Sequence, residues 1–487
     1  MTSPKYFGTD GIRGTAGKHP MTKEFAFSLG WAAGTVLGKG KDHPLILIGR
    51  DTRLSGPWLQ EALQTGLQSS GVQVVNLGEF PTPGVAFVTH ASDAIAGVVI
   101  SASHNPAVEN GIKFISHNGM KLSEATELAI EALLDSAPPL PDVLIKLDNP
   151  DAKLRAIYEQ DLLLDPGALA LGNLQILLDC SNGANYELAP QILRQLGADP
   201  IVLNNQPDGE NINAHAGSEY VRSRPGDFGR LIEEYHADLG IAFDGDADRV
   251  ILFDERGNMV DGDQILAVLA DYLHQQGRLL DNALVTTNMA NGALSKYSED
   301  HGFTFVETPV GDKYVTEKLM ALFVEPGKQT QIGIGGEQSG HIIILDEMHR
   351  TGDGLRTALW MLKVLLEKPG QKLSELTGKF RKYPQLIASA YVTNKPDLKT
   401  IPSVAIALKM LDHDLPGLVR MNARYSGTEP KFRLMLETDN RHNPAEIAVH
   451  AWQICDLVQK ETGTPPGSKV EILNVSDGGL MQRPTHR

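Results

Sequence analysis

The sequence predicts an α/β fold, with three related βαβ-type mixed-sheet domains and a smaller C-terminal α+β domain around a central cleft. The chain has 487 residues, which is enough for roughly three or four domains. A strand–turn–helix–strand pattern recurs three times along it. Four polar loops are also spread over most of the chain, which is explained if the domains share one cleft.

The recurring unit joins an apolar strand to a helix through a polar turn, and a glycine ends the helix before the next strand begins. The strand pairs span residues 45–49 and 72–75, 174–179 and 200–203, and 283–287 and 303–306, and the glycines are Gly71, Gly197 and Gly302. A helix that joins two parallel strands forms a right-handed crossover in nearly all sheets. The three copies therefore predict three related α/β domains.

Breaks in composition predict the domain boundaries. Residues 136–141 are rich in proline, which interrupts regular structure. Short strands followed by a helix at 444–460 indicate a final α+β unit, and the end of the chain is rich in glycine, proline and serine. The predicted units are 1–155 with a serine loop, 156–262 with an acidic loop, 263–375 with a glycine-rich loop, 376–465 with an arginine-flanked loop, and a loosely held tail at 466–487.

Composition argues against several classes of partner. Hydrophobic residues make up 41% of the chain and charged residues 21%, as in ordinary globular proteins. The formal net charge of −16 argues against nucleic acid or an acidic membrane surface as a partner. No apolar run approaches the roughly 18 residues of a membrane span, and the N-terminus lacks the apolar core of a signal peptide. Cys180 and Cys455 show no metal or redox spacing, so we expect a cytoplasmic protein.

The serine loop is the most informative segment. Residues 100–106 read Ile-Ser-Ala-Ser-His-Asn-Pro and follow an apolar run, 94–99, that predicts a buried strand. Because ligands bind outside the carboxyl ends of such strands, Ser103 and His104 are expected where a substrate would bind. Lys113 follows shortly downstream, and a cation close to a serine suits a phosphate that the serine carries or attacks.

The acidic loop contains three carboxylates at every second residue, Asp244, Asp246 and Asp248, after another apolar run. Carboxylates this close repel one another unless a cation is bound. Oxygen ligands without a nearby histidine or cysteine favour Mg²⁺ over zinc, and Arg249 suits a phosphate beside the metal. The alternatives are a solvated acidic turn and a calcium loop that ends at Glu255. An EF-hand, however, needs glycine where this chain has Arg249, and helices where it has predicted strands.

The arginine-flanked loop, residues 424–433, carries the kinds of donor that a phosphate dianion requires, namely hydroxyls, backbone N–H groups and guanidinium groups. The candidate donors are Arg424, Ser426, Gly427, Thr428 and Arg433. The alternative is an ordinary polar turn with surface arginines, because short motifs of this kind often arise by chance.

The glycine-rich loop, residues 335–341, reads Gly-Gly-Glu-Gln-Ser-Gly-His. Glu337 and Ser339 can hydrogen-bond the hydroxyls of a sugar, although paired glycines more often mark a plain turn. His341 directly precedes a predicted strand, and a lone histidine in that position is more often structural than catalytic.

Together, the four loops resemble those of the α-D-phosphohexomutase superfamily. The motifs Ser-Ala-Ser-His-Asn-Pro, Asp-Gly-Asp-x-Asp-Arg, Gly-Glu-x-Ser-Gly-His and Arg-x-Ser-Gly-Thr-Glu occur in the superfamily's order between about Tyr6 and about Glu437. Bacterial members that act on glucosamine phosphates are the most similar, through segments 6–14, 211–213, 310–315 and 351–354. This chain departs from the family pattern at Ala247, where glycine is expected, at Lys313, where arginine is more usual, and at Tyr425, where proline is frequent.

The resemblance implies that Ser103 is carried as phosphoserine and that its phosphate, with Asp244, Asp246 and Asp248, holds Mg²⁺. The phosphate passes to O1 of a hexosamine 6-phosphate, the resulting 1,6-bisphosphate turns over, and its O6 phosphate returns to the serine. Arg13 and His104 are expected to position the phosphoserine, and Lys113 acts either as a general acid–base or only as a stabilising charge. The implied catalytic residues are Ser103, His104, Lys113, Arg13 and Arg249, and the implied substrate-binding residues are Glu337, Ser339, His341, Lys313, Arg424, Ser426, Gly427, Thr428 and Arg433.

Other functions stay open on the sequence alone. A member of the same superfamily that acts on glucose or mannose phosphates differs only in what it contacts at C2 of the sugar. A Mg²⁺-dependent phosphatase has no need for a second phosphate loop, and a non-catalytic sensor has no need for the serine, the acidic triplet and the lysine. The expected partners are the sugar phosphate and a sugar 1,6-bisphosphate primer, and the expected assembly is a monomer or a homodimer.

Overall fold

The structure is a computed structural model that describes residues 4–8, 10–165, 167, 169–172, 174–323, 327, 330–426, 429–476 and 478–483. Within these residues the strands form four sheets. Three sheets are mixed and share one arrangement of four strands, and the fourth, which is antiparallel, belongs to a smaller C-terminal unit. The predicted fold class is therefore confirmed. No described helix is long and apolar enough to cross a membrane.

The first sheet has the strand order β1-β5-β4-β2-β3. Its strands are β1 (Ile12–Thr15), β2 (Leu45–Arg50), β3 (Gln73–Glu79), β4 (Ala96–Ile100) and β5 (Glu109–Ser116), and its helices are α1 (Lys23–Leu37), α2 (Gly56–Ser69), α3 (Thr82–His90) and α4 (Glu124–Glu131). The backbones of α1 and α2 are in close contact, because a Cβ atom on Gly30 would lie 2.1 Å from the carbonyl oxygen of Leu63. A connecting helix, α5 (Ala152–Leu164), leads to the second sheet.

The second and third sheets have the orders β10-β9-β8-β6-β7 and β12-β11-β13-β14. The second unit contains β6 (Ile176–Asp179), α6 (Leu188–Gln195), β7 (Ile201–Leu203), α7 (Gly217–Ser223), α8 (Pro225–Tyr235), β8 (Leu239–Phe243), β9 (Val250–Phe253) and β10 (Met259–Val260). The third contains α9 (Gly262–Gln275), β11 (Leu279–Thr287), α10 (Ala293–His301), β12 (Thr304–Thr308), α11 (Asp312–Phe323), β13 (Ile332–Gly336), β14 (Ile342–Leu345), α12 (Gly354–Leu366) and α13 (Leu373–Thr377).

The three mixed sheets repeat one arrangement, as the recurring pattern predicts. In each, a central strand (β2, β6 or β11) pairs in parallel with two neighbours, and one neighbour pairs with an antiparallel strand to form a hairpin. The predicted stop glycines Gly71, Gly197 and Gly302 have φ of 89°, 96° and 83°, which glycine adopts without steric cost. The three hairpins are β4–β5, β8–β9 and β13–β14, and their connections are the serine, acidic and glycine-rich loops. The repeat therefore puts the three loops at equivalent positions.

The C-terminal sheet has the order β16-β17-β15-β18-β19. Its elements are β15 (Gln385–Tyr391), α14 (Pro402–Asp414), β16 (Leu418–Tyr425), β17 (Lys431–Thr438), α15 (Pro444–Glu461), β18 (Val470–Asn474) and β19 (Leu480–Met481). The prediction of a loosely held tail after residue 465 is wrong for β18, which pairs with β15 inside the sheet. Glycine, proline and serine dominate the composition of the segment around this strand. Within the strand, however, Val470 and Ile472 are two positions apart and therefore lie on the same face of the sheet.

Hydrogen bonds and ion pairs join α5, and the residue that follows it, to the third unit. Tyr158 donates a hydrogen bond to Asp353 at 2.7 Å, and Asp165 accepts one from Arg356 at 2.6 Å. A third contact involves the His349 ring, which lies 2.8 Å from an oxygen of Asp161 and is also in contact with Asp346. The helix between the first two domains is thereby anchored to the third.

We expect the His349→Gln variant to be less thermally stable than the wild type, with a difference that depends on pH. Burial and the Arg356 guanidinium lower the pKa of His349, but hydrogen bonds to Asp161 and Asp346 outweigh both and raise the pKa above its ordinary value. Because the folded pKa exceeds the unfolded value of about 6.5, this stabilisation is complete below about pH 6.5 and is lost as the pH rises through the folded pKa.

Melting temperatures of both proteins, measured across that range, test this expectation. The gap between wild type and variant should be widest at acidic pH and should shrink as the medium becomes alkaline. His413→Gln is the matched control, because His413 is exposed beside Asp414. A gap that does not change with pH would contradict the assignment of a charged His349.

Candidate active site

A cleft of about 1010 Å³ lies where loops of the four units meet. Each unit contributes side chains to its lining. These include Arg13 from the first, Asp248 and Arg249 from the second, Glu337 and His341 from the third, and Arg424 from the fourth. The architecture therefore brings together residues that are spread over most of the chain.

Ser103 follows the end of β4 and is 1% exposed. Its backbone has φ of 53°, in the left-handed region that non-glycine residues rarely adopt. Its hydroxyl donates a hydrogen bond to Asp244 at 2.6 Å, and Nδ1 of His104 lies 3.4 Å from the same oxygen. The predicted serine therefore contacts the acidic loop of the neighbouring unit.

The three aspartates converge, with ligand atoms of Asp244, Asp246 and Asp248 within 4.8 Å of one another. All three are buried, and Oδ1 of both Asp246 and Asp248 has no hydrogen-bond partner among the described residues. Burial, and then the charges of Asp248 and Asp246, hold the pKa of Asp244 well above its ordinary value. Buried, unpaired carboxylate oxygens are suitable ligands for a hard divalent cation, so this cluster fits a metal ion.

The acidic loop lies against the serine loop without room for side chains. A Cβ atom on Gly245 would lie 2.6 Å from the carbonyl oxygen of Ser103. Ala247, where the family pattern has glycine, keeps φ of 60°, a conformation that costs a non-glycine residue about 1–2 kcal/mol. The alanine therefore introduces local strain but leaves the three carboxylates together.

Lys113 lies within the acidic cluster. Its ammonium is 2.7 Å from an oxygen of Asp246, 3.1 Å from Asp10 and 3.8 Å from Asp248. Burial lowers the pKa of Lys113, but Asp10, Asp246 and Asp248 outweigh it and raise the pKa above the ordinary value. In this arrangement the lysine is charged, which suits the stabilisation of negative charge.

His341 belongs to a charged network that extends behind the cleft. Its ring nitrogens lie 3.7 Å from Asp248 and 3.5 Å from Asp312. Lys121 in turn contacts Asp312 at 2.8 Å and Asp10 at 3.0 Å. Burial lowers the pKa of His341, and Asp248 and Asp312 raise it to a net value above the ordinary one. Sequence reasoning missed Lys121 because its partner lies 191 positions away.

Arg13, His104 and Arg249 surround the same region. Burial, and then the Arg249 charge, lower the pKa of His104 to about 4, so its ring is neutral near pH 7. The Nε atoms of Arg13 and Arg249 are buried and have no hydrogen-bond partner among the described residues. Arg13 also pairs with Asp10, and Nε of Arg249 lies 3.7 Å from Asp248. The two Nε donors that lack a hydrogen bond are suited to the oxygens of a phosphate.

The glycine-rich loop presents Glu337 and Ser339 as half-buried side chains. A carboxylate oxygen of Glu337 accepts a hydrogen bond from the backbone N–H of Gly311 at 3.3 Å, which orients the side chain. Lys313, by contrast, lines a neighbouring cavity of about 1000 Å³ together with Lys121. Asp312, which precedes it on α11, lines both this cavity and the cleft. Consecutive residues of a helix point about 100° apart, and Lys313 does not line the cleft.

The arginine-flanked loop connects β16 and β17. Arg424 and Arg433 lie directly opposite each other across these strands, a placement that is unfavourable for like charges. Arg433 also pairs with the carboxylate of Glu429 at 2.6 Å. Ser426 is buried beside them, and the ammonium of Lys395, which sequence reasoning missed, contacts its carbonyl oxygen at 2.6 Å. The predicted donors Gly427 and Thr428 lie outside the described residues.

Comparison with known families agrees with this geometry. Residues 4–139, 155–257 and 261–383 match domains I, II and III of the phosphoglucomutase/phosphomannomutase alpha/beta/alpha family. The chain belongs to this family of phosphohexomutases. It is therefore an isomerase that transfers a phosphoryl group between two positions of a sugar phosphate.

Curated relatives indicate which branch of the family this chain resembles. Phosphoglucosamine mutase of Syntrophotalea carbinolica is 42% identical over 470 residues, which are 94% of this chain and 98% of the relative. Phosphoglucosamine mutase of Geobacillus kaustophilus is 42% identical over 471 residues, which are 94% and 99%. The resemblance to the bacterial glucosamine-phosphate branch is therefore confirmed.

Solved structures share the fold. A phosphoglucomutase/phosphomannomutase family protein from Burkholderia thailandensis has a TM-score of 0.74 at 22% identity, and the match covers 96% of this chain and 100% of that one. N-acetylphosphoglucosamine mutase from Aspergillus fumigatus, solved with GlcNAc-6P and magnesium, has a TM-score of 0.62 at 17% identity, and the match covers 94% and 96%.

Proposed function

We propose that this enzyme interconverts glucosamine 6-phosphate and glucosamine 1-phosphate through a phosphoserine at Ser103 and a 1,6-bisphosphate. The single observation that supports this best is the contact of the Ser103 hydroxyl with Asp244, in a buried carboxylate cluster whose third member, Asp248, lines the same cleft as Arg424. Such a cleft has one place for a reacting phosphate and another for a resting one. The choice of an amino sugar is supported by the names of the curated relatives.

Two phosphoryl transfers complete the reaction. In the first, the bond between phosphorus and Oγ of Ser103 breaks, a bond from phosphorus to O1 of the sugar forms, and the O1 proton leaves. After the bisphosphate turns over, Oγ of Ser103 takes the phosphoryl group from O6, and O6 receives a proton. Lys113 or His341 moves these protons, and the contacts of Lys113 with Asp246 and Asp248 also place its ammonium where it stabilises negative charge.

We assign a Mg²⁺ ion to Asp244, Asp246 and Asp248, together with an oxygen of the phosphorylated Ser103. When bound, Mg²⁺ neutralises the charge that spreads over the phosphoryl oxygens during transfer. Arg13, Arg249 and Lys113 add positive charge on the protein's side, and His104 lies beside the serine oxygen.

The substrate's second phosphate and its sugar ring need sites that accept either orientation. Arg424, Ser426, Gly427, Thr428 and Arg433 are the proposed phosphate donors. Glu337, Ser339 and His341 are the proposed contacts to the sugar, and Lys313 stays a prediction. Two hydroxyls of the sugar ring can occupy equivalent positions before and after the bisphosphate turns over. The same side chains can therefore hold the sugar in both phosphoryl transfers.

We expect Arg424→Ala to raise KM for the sugar phosphate about 10- to 100-fold, since a charge-assisted hydrogen bond contributes roughly 1.5–3 kcal/mol. Steady-state kinetics measures the change. Arg441→Ala is the matched control, because Arg441 pairs with Asp439 on an exposed turn of the same domain. An unchanged KM in Arg424→Ala would remove this residue from the phosphate site.

The test of the proposed function is kcat/KM for glucosamine 6-phosphate, glucose 6-phosphate and mannose 6-phosphate, each with Mg²⁺ and the matching bisphosphate primer. We expect a clear preference for the amino sugar. A preference for glucose or mannose phosphate would keep the reaction class and overturn the substrate. Stoichiometric release of free phosphate would indicate a phosphatase instead.

A further inference from the structure

The serine loop is held in a strained conformation. Ser103 has φ of 53°, and non-glycine residues in this region cost about 1–3 kcal/mol unless their surroundings over-determine the backbone. Its own N–H donates to Oγ of Ser101 at 2.9 Å, and Ser101 in turn donates to Asp51 at 2.5 Å. These two bonds fix one side of the loop.

Arg53 holds the other side and uses every donor that a guanidinium group has. The residue is 1% exposed and does not line the cleft. Its acceptors are the carbonyl oxygens of Ser103 (2.9 Å), Asn105 (2.8 Å), Pro106 (2.6 Å) and Glu109 (3.0 Å), and the carboxylate of Asp51 (2.9 Å). Only arginine offers five donors in one planar fork, so lysine cannot reproduce this set.

Asn213 reaches the same two carbonyls from the second unit. Its side-chain amide donates to the carbonyl oxygen of Ser103 at 2.8 Å and to that of Asn105 at 3.1 Å. Each of these oxygens has two lone pairs and thus receives one donor from Arg53 and one from Asn213. The planes of both peptide groups are therefore set by side chains from two different domains.

We infer that Arg53 and Asn213 are positioning residues for phosphoryl transfer, a role that rests on the proposed function of Ser103. They hold the serine oxygen in line with the transferred phosphorus, and neither contacts the sugar. Because a displacement of about 1 Å at a reacting atom can lower a rate by about 100-fold, their loss should lower kcat and leave KM nearly unchanged.

Two variants test the inference. Arg53→Lys keeps the charge and removes two donors, and we expect kcat to fall about 100-fold. Asn213→Gly removes only the side chain, because glycine adopts the φ of 58° of this residue freely, and we expect a fall of about 10-fold. Arg50→Lys and Asn282→Gly are matched controls: Arg50 pairs with Glu79, and Asn282 has a positive φ far from the loop.

The readouts are kcat, KM, the fraction of folded protein, and the rate at which glucose 1,6-bisphosphate phosphorylates Ser103, followed by mass spectrometry of the intact chain. Slower phosphorylation in both variants, at unchanged KM and with kcat corrected for the folded fraction, supports the inference. Wild-type rates in Asn213→Gly overturn it, even if Arg53→Lys does not fold. Absence of phosphate on Ser103 in the wild type overturns the proposed function instead.

Discussion

Ser103→Ala should abolish mutase turnover, with a fall in kcat of at least about 10⁴-fold. The alanine lacks the oxygen that is proposed to carry the phosphoryl group between the two ends of the sugar. Among the described residues, Ser103 provides the only hydroxyl that donates a hydrogen bond to Asp244. The measurement is turnover of the sugar phosphate with Mg²⁺ and primer, together with incorporation of phosphate into the intact chain.

The matched control for this variant is Ser69→Ala. The Ser69 hydroxyl donates to the carbonyl oxygen of Gly66 at the end of α2, so its removal should leave activity unchanged. If Ser103→Ala kept full activity, the phosphoserine mechanism would be wrong, whatever sugar the enzyme prefers. If it lost activity while wild-type protein incorporated no phosphate, Ser103 would serve binding rather than transfer.

Asp244→Asn should have opposite effects on activity and on the stability of the metal-free protein. We expect kcat to fall about 10³-fold, because the site loses a charged ligand for the cation that neutralises the phosphoryl group. The metal-free variant should melt at a higher temperature than the metal-free wild type. Burial and the charges of Asp248 and Asp246 disfavour the ionised Asp244, and an amide of the same shape removes that repulsion.

Melting curves with and without Mg²⁺ separate the two effects. Wild-type protein should gain stability when Mg²⁺ is added and lose activity reversibly when a chelator removes it. Asp244→Asn should show little response to the ion. Asp254→Asn is the matched control, because Asp254 is also buried in the second unit but contacts the turn at Asn258. A wild-type melting temperature that does not change when Mg²⁺ is added would contradict the metal site.

Local patterns were enough to predict the site loops. Each apolar run before them became a strand of a hairpin. Polar residues of the acidic, glycine-rich and arginine-flanked loops line the cleft, and Ser103 contacts the acidic loop. Ser103, Asp244 and Arg424 could be predicted because residue type and short spacing already indicate phosphate and metal chemistry. Arg53 could not, because it lies in no motif and contacts Ser103 from 50 positions away. Segment 211–213 supports the family resemblance, but it does not reveal that Asn213 contacts Ser103 from 110 positions away.

Lys313 and the C-terminal strand mark two other limits. The motif around Lys313 predicts a substrate contact, which stays a prediction, and only the structure shows that this side chain lines the neighbouring cavity. The strand β18 is surrounded by turn residues, and only its pairing with β15 reveals it. Both features depend on the direction and register of elements rather than on composition.

The sequence by itself determined the fold class, the three repeats and the four loops with their chemistry. These follow from the order of apolar and polar residues over a few positions, which acts locally. Only the tertiary structure decided how the charges combine: that Lys113 lies among Asp10, Asp246 and Asp248, and that two domains clamp the backbone of one serine. Those interactions depend on distances between residues that are far apart in the chain, and only the packing of the domains sets these distances.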